Sequence, residues 1–104
     1  MSLQNIILSI ISGITDPSIR LDIATTINYI FGLYCDRSVG EDEIRKSLYE
    51  ICHDVISYTC PELSGEALVN AVNMKVDELM RAFRLESLKR RTIAGLKPRY
   101  GLPL

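Results

Sequence analysis

Leu3, Ile6, Ile7, Ile10, Ile11 and Ile14 recur at intervals of three and four residues. On a helix of about 3.6 residues per turn that spacing gathers them on one face, so it predicts a helix over about 3–14. Asp16 followed by Pro17 reads as an N-cap with proline at the first helical position, where its missing N–H costs nothing. A second helix is expected over about 17–35, with Ile19, Ile23, Ile27, Ile30, Phe31 and Tyr34 as its stripe. Ser38 with Glu41 three residues on fits a capping box. Glu41, Asp42 and Glu43 oppose the positive end of a third helix over about 41–58, which presents Ile44, Leu48, Ile51, Cys52, Val55 and Ile56 to a core. Cys60-Pro61 ends it, because proline disfavours the α conformation in the residue before it.

Ser64 is the expected cap of a fourth helix over about 64–83, whose apolar face is Leu68, Val69, Val72, Val76, Leu79, Met80 and Phe83. Beyond Phe83 the pattern changes phase: at about 100° per residue, Leu85 and Leu88 fall roughly 150° around the cylinder from the earlier stripe. Either the helix breaks near Arg84 or it continues as an arm, and a fifth helical segment is expected over about 85–95. The tail from Lys97, with Pro98, Gly101 and Pro103, is expected to be extended and basic over 97–104. The fold class is all-α: an antiparallel bundle of four helices with a fifth C-terminal helical segment or arm, one domain over 1–96, since short connections favour antiparallel neighbours.

The net charge of −1 conceals a gradient. Residues 1–80 carry five Lys and Arg against twelve Asp and Glu, and residues 81–104 carry seven against Glu86 alone, so the two parts are −7 and +6. Such segregation makes the segment Arg81 to Arg99 the best functional candidate, although Lys and Arg are also favourable near a helix C-terminus. No run of about 20 apolar residues exists to span a bilayer, and the strongest run, Ile6 to Ile11, has no basic leader, so neither a membrane span nor a signal peptide is expected. Thirteen Ile with one Gln and no Trp is a thermophile-like composition, in which thermolabile amides are scarce.

Cys35, Cys52, Cys60 and His53 are the soft metal ligands of the chain. No C-x-x-C spacing occurs, and an antiparallel hairpin would put Cys60 about 25 Å from Cys35. Three thiols, an odd number, fit reduced structural cysteines in a cytoplasmic protein better than a disulfide framework. His53 and Asp54 are adjacent and point about 100° apart on a helix, so they do not form a base with its orienter. Glu41-Asp42-Glu43 is explained by helix-terminal placement and Asp77-Glu78 by a solvated face. No phosphate-cradling glycine loop and no nucleophile elbow is present. The expectation is therefore a protein without catalytic residues, metal, cofactor or small-molecule substrate. Asp36 to Gly40 could also join a helix-turn-helix, but its second helix would begin with acidic residues where DNA contacts are made.

Two functions remain. The first is a non-enzymatic interaction module that forms a homodimer or docks on another protein through its C-terminal helix, with Leu85, Leu88, Ile93 and Leu96 as apolar contacts. The second is nucleic-acid binding through Arg84, Lys89, Arg90, Arg91, Lys97 and Arg99, with Tyr100 available to stack on a base.

Overall fold

A computed structural model describes the backbone of residues 2–100 and the side chains of residues 2–90. It is all-helical, with no strand among the described residues. The elements are α1 (Leu3–Ile11), α2 (Pro17–Asp36), α3 (Glu41–Thr59) and α4 (Gly65–Tyr100).

α1 is the most apolar of the four. Leu3, Ile6, Ile7, Ile10 and Ile11 are all buried, and the Ser2 hydroxyl accepts from the Asn5 N–H to cap the helix. It ends three residues earlier than its stripe implies: Ile14 is equally buried, but from the connecting turn, where its N–H donates to the Ile11 carbonyl. A buried isoleucine at helical spacing need not be helical. Gly13 in that turn sits against Thr59 at the far end of α3, and a Cβ there would lie 2.9 Å from Thr59 Cγ2. Thr59 is held in that rotamer by its hydroxyl, which donates to the Val55 carbonyl at 2.9 Å. Glycine is thus needed for close approach, and it latches the α1–α2 turn onto α3.

α2 starts as expected, with Pro17 in its first turn and the Asp16 carboxylate accepting from the Ser18 N–H and hydroxyl. Those bonds lower the pKa of Asp16, so its capping contribution is present above the ordinary carboxylate range and fades as pH falls through the lowered value. The other end differs from expectation. Ser38 does not cap α3: Gly40 occupies the N-cap, and its carbonyl accepts from Glu43 and Ile44. Ser38 instead completes the C-terminus of α2, donating its N–H to Leu33 while Arg37 donates to Tyr34. This pair of bonds is the Schellman arrangement, which requires a left-handed residue between helix and loop. Arg37 fills that position at φ 57°, where a side chain crowds the following carbonyl. Arg37→Gly is expected to stabilise the fold by about 0.5–1 kcal/mol, seen as a higher urea midpoint at unchanged slope. A lower midpoint would show that the arginine side chain contributes more than the strain it causes.

α4 corrects the largest expectation. It runs unbroken through Arg84, so the two helices expected over 64–83 and 85–95 are one. The tail expected to be extended from Lys97 is helical as far as Tyr100. Gly101, Leu102, Pro103 and Leu104 lie outside the described residues. Extending an existing helix avoids the cost of nucleating a new one.

One hydrophobic core joins all four helices. Phe83, Leu3, Ile7, Ile27, Leu48, Leu79, Val72, Val76 and Cys52 are its most deeply buried side chains. Ile19 and Val69, read as core from the stripe pattern, are exposed instead. Arg45 on α3 pairs with Asp77 on α4. The molecule measures 58 × 29 × 22 Å, and its long dimension matches the ~54 Å of a 36-residue helix at about 1.5 Å per residue. None of the described helices is long and apolar enough to cross a membrane.

Candidate interaction surface

The core side of α4 is the line Val72, Val76, Leu79 and Phe83, which continues through Ser87 at 3% exposure. Serine on this line hides the continuity from any reading of apolar periodicity. Turned by about 180° on the same cylinder are Met74 at 72% exposure, Leu85 at 53% and Leu88 at 49%. The change of phase after Phe83 is therefore a second stripe on one straight helix. Leu85 and Leu88 lie on the surface, as their separation from the core line requires. Ile93 and Leu96 stand on the helical backbone, but their side chains lie outside the described residues, as do those of Arg91, Lys97, Arg99 and Tyr100.

Two grooves border the outer face of α4. One, of about 580 Å³, runs past Ile56, Cys60 and Leu63 and along Ala71, Met74, Lys75, Asp77, Glu78 and Arg81. The other, of about 130 Å³, is lined by Ile6 from α1 with Glu78, Arg81, Ala82 and Leu85. They share Glu78 and Arg81, so a trough with mostly apolar ends and a charged middle follows the helix. This feature escapes sequence reasoning, because its walls come from α1, α3 and the turn after α3, which pack beside α4 only in the folded chain.

Of the six basic residues expected to contact phosphates, the three with described side chains, Arg84, Lys89 and Arg90, each have a contact within the chain. Arg84 reaches Glu41 at 3.9 Å and Lys89 reaches Glu86 at 3.5 Å. The Arg90 guanidinium lies 4.8 Å from the centre of the Phe31 ring, a cation–π geometry. Solvent-exposed ion pairs at such distances are weak and do not remove the charges from the surface.

Away from α4 the chemistry is sparse. His53 Nδ1 and Asp54 Oδ1 come to 3.7 Å, closer than their angular offset implies but longer than a hydrogen bond. Tyr49 stacks on the His53 ring at 6.2 Å. Cys52 is in the core, whereas Cys35 and Cys60 are half-buried, and all three are free thiols. No group of three His, Cys, Asp or Glu side chains among the described residues is placed to hold a metal ion. A separate apolar hollow of about 270 Å³ lies between the start of α2 and the end of α3, lined by Ile14, Ile19, Ile23, Ile51, Asp54, Val55 and Tyr58.

No protein-family model, no curated protein and no solved structure matches the chain.

Proposed function

We propose that this chain is a non-enzymatic helical interaction module, and that the outer face of α4 is where it binds, in the first instance to a second copy of itself. The observation that carries this reading is the pair Leu85 and Leu88, each about half exposed on the side of α4 opposite the core line. Large apolar side chains scattered singly on a surface need no explanation. Two on successive turns, beside a groove lined by Ile6, Ala82, Glu78 and Arg81 and on a helix of 36 residues where α3 has 19, form a contiguous patch that fits helix-on-helix docking. The arrangement that goes with this reading is an antiparallel bundle in one domain, supported for α3 and α4 by Glu41 beside Arg84 and Arg45 beside Asp77. Three free thiols fit a reducing, cytoplasmic setting.

Sedimentation velocity of the full chain from about 1 to 200 μM tests the reading. The native protein is expected to pass from monomer to dimer over that range. Leu85→Glu combined with Leu88→Glu is expected to weaken the dimer by about a hundredfold or more, since each buried leucine contributes on the order of 1.5–3 kcal/mol. Helicity should be unchanged, because both positions are exposed. A native chain that stays monomeric throughout would sink self-association.

A second reading rests on the charge of +6 carried by residues 81–104. Arg84, Lys89, Arg90, Arg91, Lys97 and Arg99 would contact phosphates, and Tyr100 would stack on a base. Binding of labelled single- or double-stranded nucleic acid that weakens steeply with salt would move the function to this segment.

A further inference from the structure

We propose that the second copy docks antiparallel along α4, with Leu85 and Leu88 of each chain seated in the partner's groove at Met74 and Ala71, about a two-fold axis between Glu78 and Arg81. The inference rests on the self-association reading and names the surface that receives the leucines.

Three observations converge on it. The first is spacing: Ala71, Met74, Glu78, Arg81, Leu85 and Leu88 follow one another at intervals of three, four, three, four and three residues. Alternating threes and fours keep one seam facing a partner helix, and this series reads the same in both directions about its midpoint. An antiparallel copy therefore brings Ala71 opposite Leu88, Met74 opposite Leu85 and Glu78 opposite Arg81, each contact occurring twice.

The second is complementarity. A two-fold interface must be complementary to itself, and this one pairs the small Ala71 with the large Leu88, the pliable Met74 with Leu85, and a carboxylate with a guanidinium. Arg81 is exposed, and among the described residues no carboxylate pairs with it. Glu78 is held by Lys75 at 2.8 Å, which leaves its second oxygen for the incoming arginine.

The third is shape. The two grooves meet at Glu78 and Arg81, where the axis would pass. The larger one surrounds Met74, with Ile56 and Leu63 as its apolar wall, so it lies where the partner's Leu85 arrives. Met74, exposed at 72%, would be covered in the same event.

Charge exchange on the full chain tests the register. Glu78→Arg alone would set two arginines against each other at both ends of the axis, and Arg81→Glu alone would set two carboxylates. Each variant is expected to weaken the homodimer by roughly thirtyfold or more, as like charges juxtaposed at an interface are strongly unfavourable. Mixed in equal amounts, the two variants are expected to recover a dimer, and native mass spectrometry should show it to contain one of each. Both substitutions place good helix formers at accessible positions, and circular dichroism of each variant checks that the fold is kept. Single variants that dimerise as well as the native chain, or a mixture that stays monomeric, would overturn this register while leaving self-association through Leu85 and Leu88 intact. A native chain that is monomeric at every concentration would overturn both and leave the groove to a different protein.

Discussion

Phe83→Ala is expected to lower the free energy of unfolding by about 3–5 kcal/mol, the usual range for removing a buried aromatic ring. Phe83 is fully buried, and its ring centre lies 5.1 Å from that of Phe31 and 5.5 Å from that of Tyr34, both tilted. Tilted pairs at these distances add attraction beyond the area they bury. Arg90 in turn covers Phe31, so the cavity left by alanine would open within a cluster that fastens the far end of α2 to α4. A domain of this size has only about 5–15 kcal/mol in total, so the variant should melt many degrees lower and populate unfolded chain at ordinary temperature. Phe83→Leu, which keeps most of the volume, should lose much less. A loss below about 1 kcal/mol for alanine would mean that α4 is not anchored at this point.

Cys52 should resist thiol reagents until the protein unfolds, whereas Cys35 and Cys60 should react in the native state. Cys52 is 1% exposed, and burial pushes its thiol up to about 11 against the opposing charge of Lys75. Near pH 8 its thiolate population is about a hundredfold below that of an ordinary thiol, and the thiolate is the reactive form. The folded state holds this proton more tightly than the unfolded chain does. The stabilisation is therefore complete below the ordinary thiol range and is lost as pH rises from there to about 11. Stopped-flow labelling, with and without denaturant, would separate two reactive thiols from one protected thiol. Three equal rates in the native protein would show that α3 opens readily. Cys52→Ala should remove that part of the decline in stability between about pH 9 and 11.

How much of this could be seen in the chain depends on what each element displays. α2 and α3 were legible almost to the residue, because an aspartate-proline start, an acidic first turn and a Cys-Pro stop are local chemistry. α1 was legible as an element but not in its length, since Ile14 keeps the helical spacing after the backbone has left the helix. The second half of α4 was legible only as two alternatives, because a change of phase looks the same whether a helix breaks or carries two stripes. The residue that distinguishes them, Ser87, is polar and contributes nothing to an apolar pattern. Ser38 matched a capping box in sequence, yet the left-handed turn at Arg37 uses its backbone N–H to close the preceding helix. As for the candidate surface, Leu85 and Leu88 were visible from phase alone. The trough beside them was not, because Glu78 and Arg81 become the middle of a groove only when Ile6 and Ile56 arrive from elsewhere in the chain.

α4 follows the other three helices in the sequence and packs against every one of them. As the chain leaves the ribosome, α1, α2 and α3 therefore emerge before Val72, Val76, Leu79 and Phe83, the side chains that cover their apolar faces. Until then Leu3, Ile7, Ile27 and Leu48 have only each other, and a nascent chain in that condition is exposed to aggregation. Closure of this core waits for α4, so the element that would recruit a partner is also the one whose arrival covers the three helices before it. A chain able to display Leu85 and Leu88 on a formed helix is one that has already covered the core beneath them.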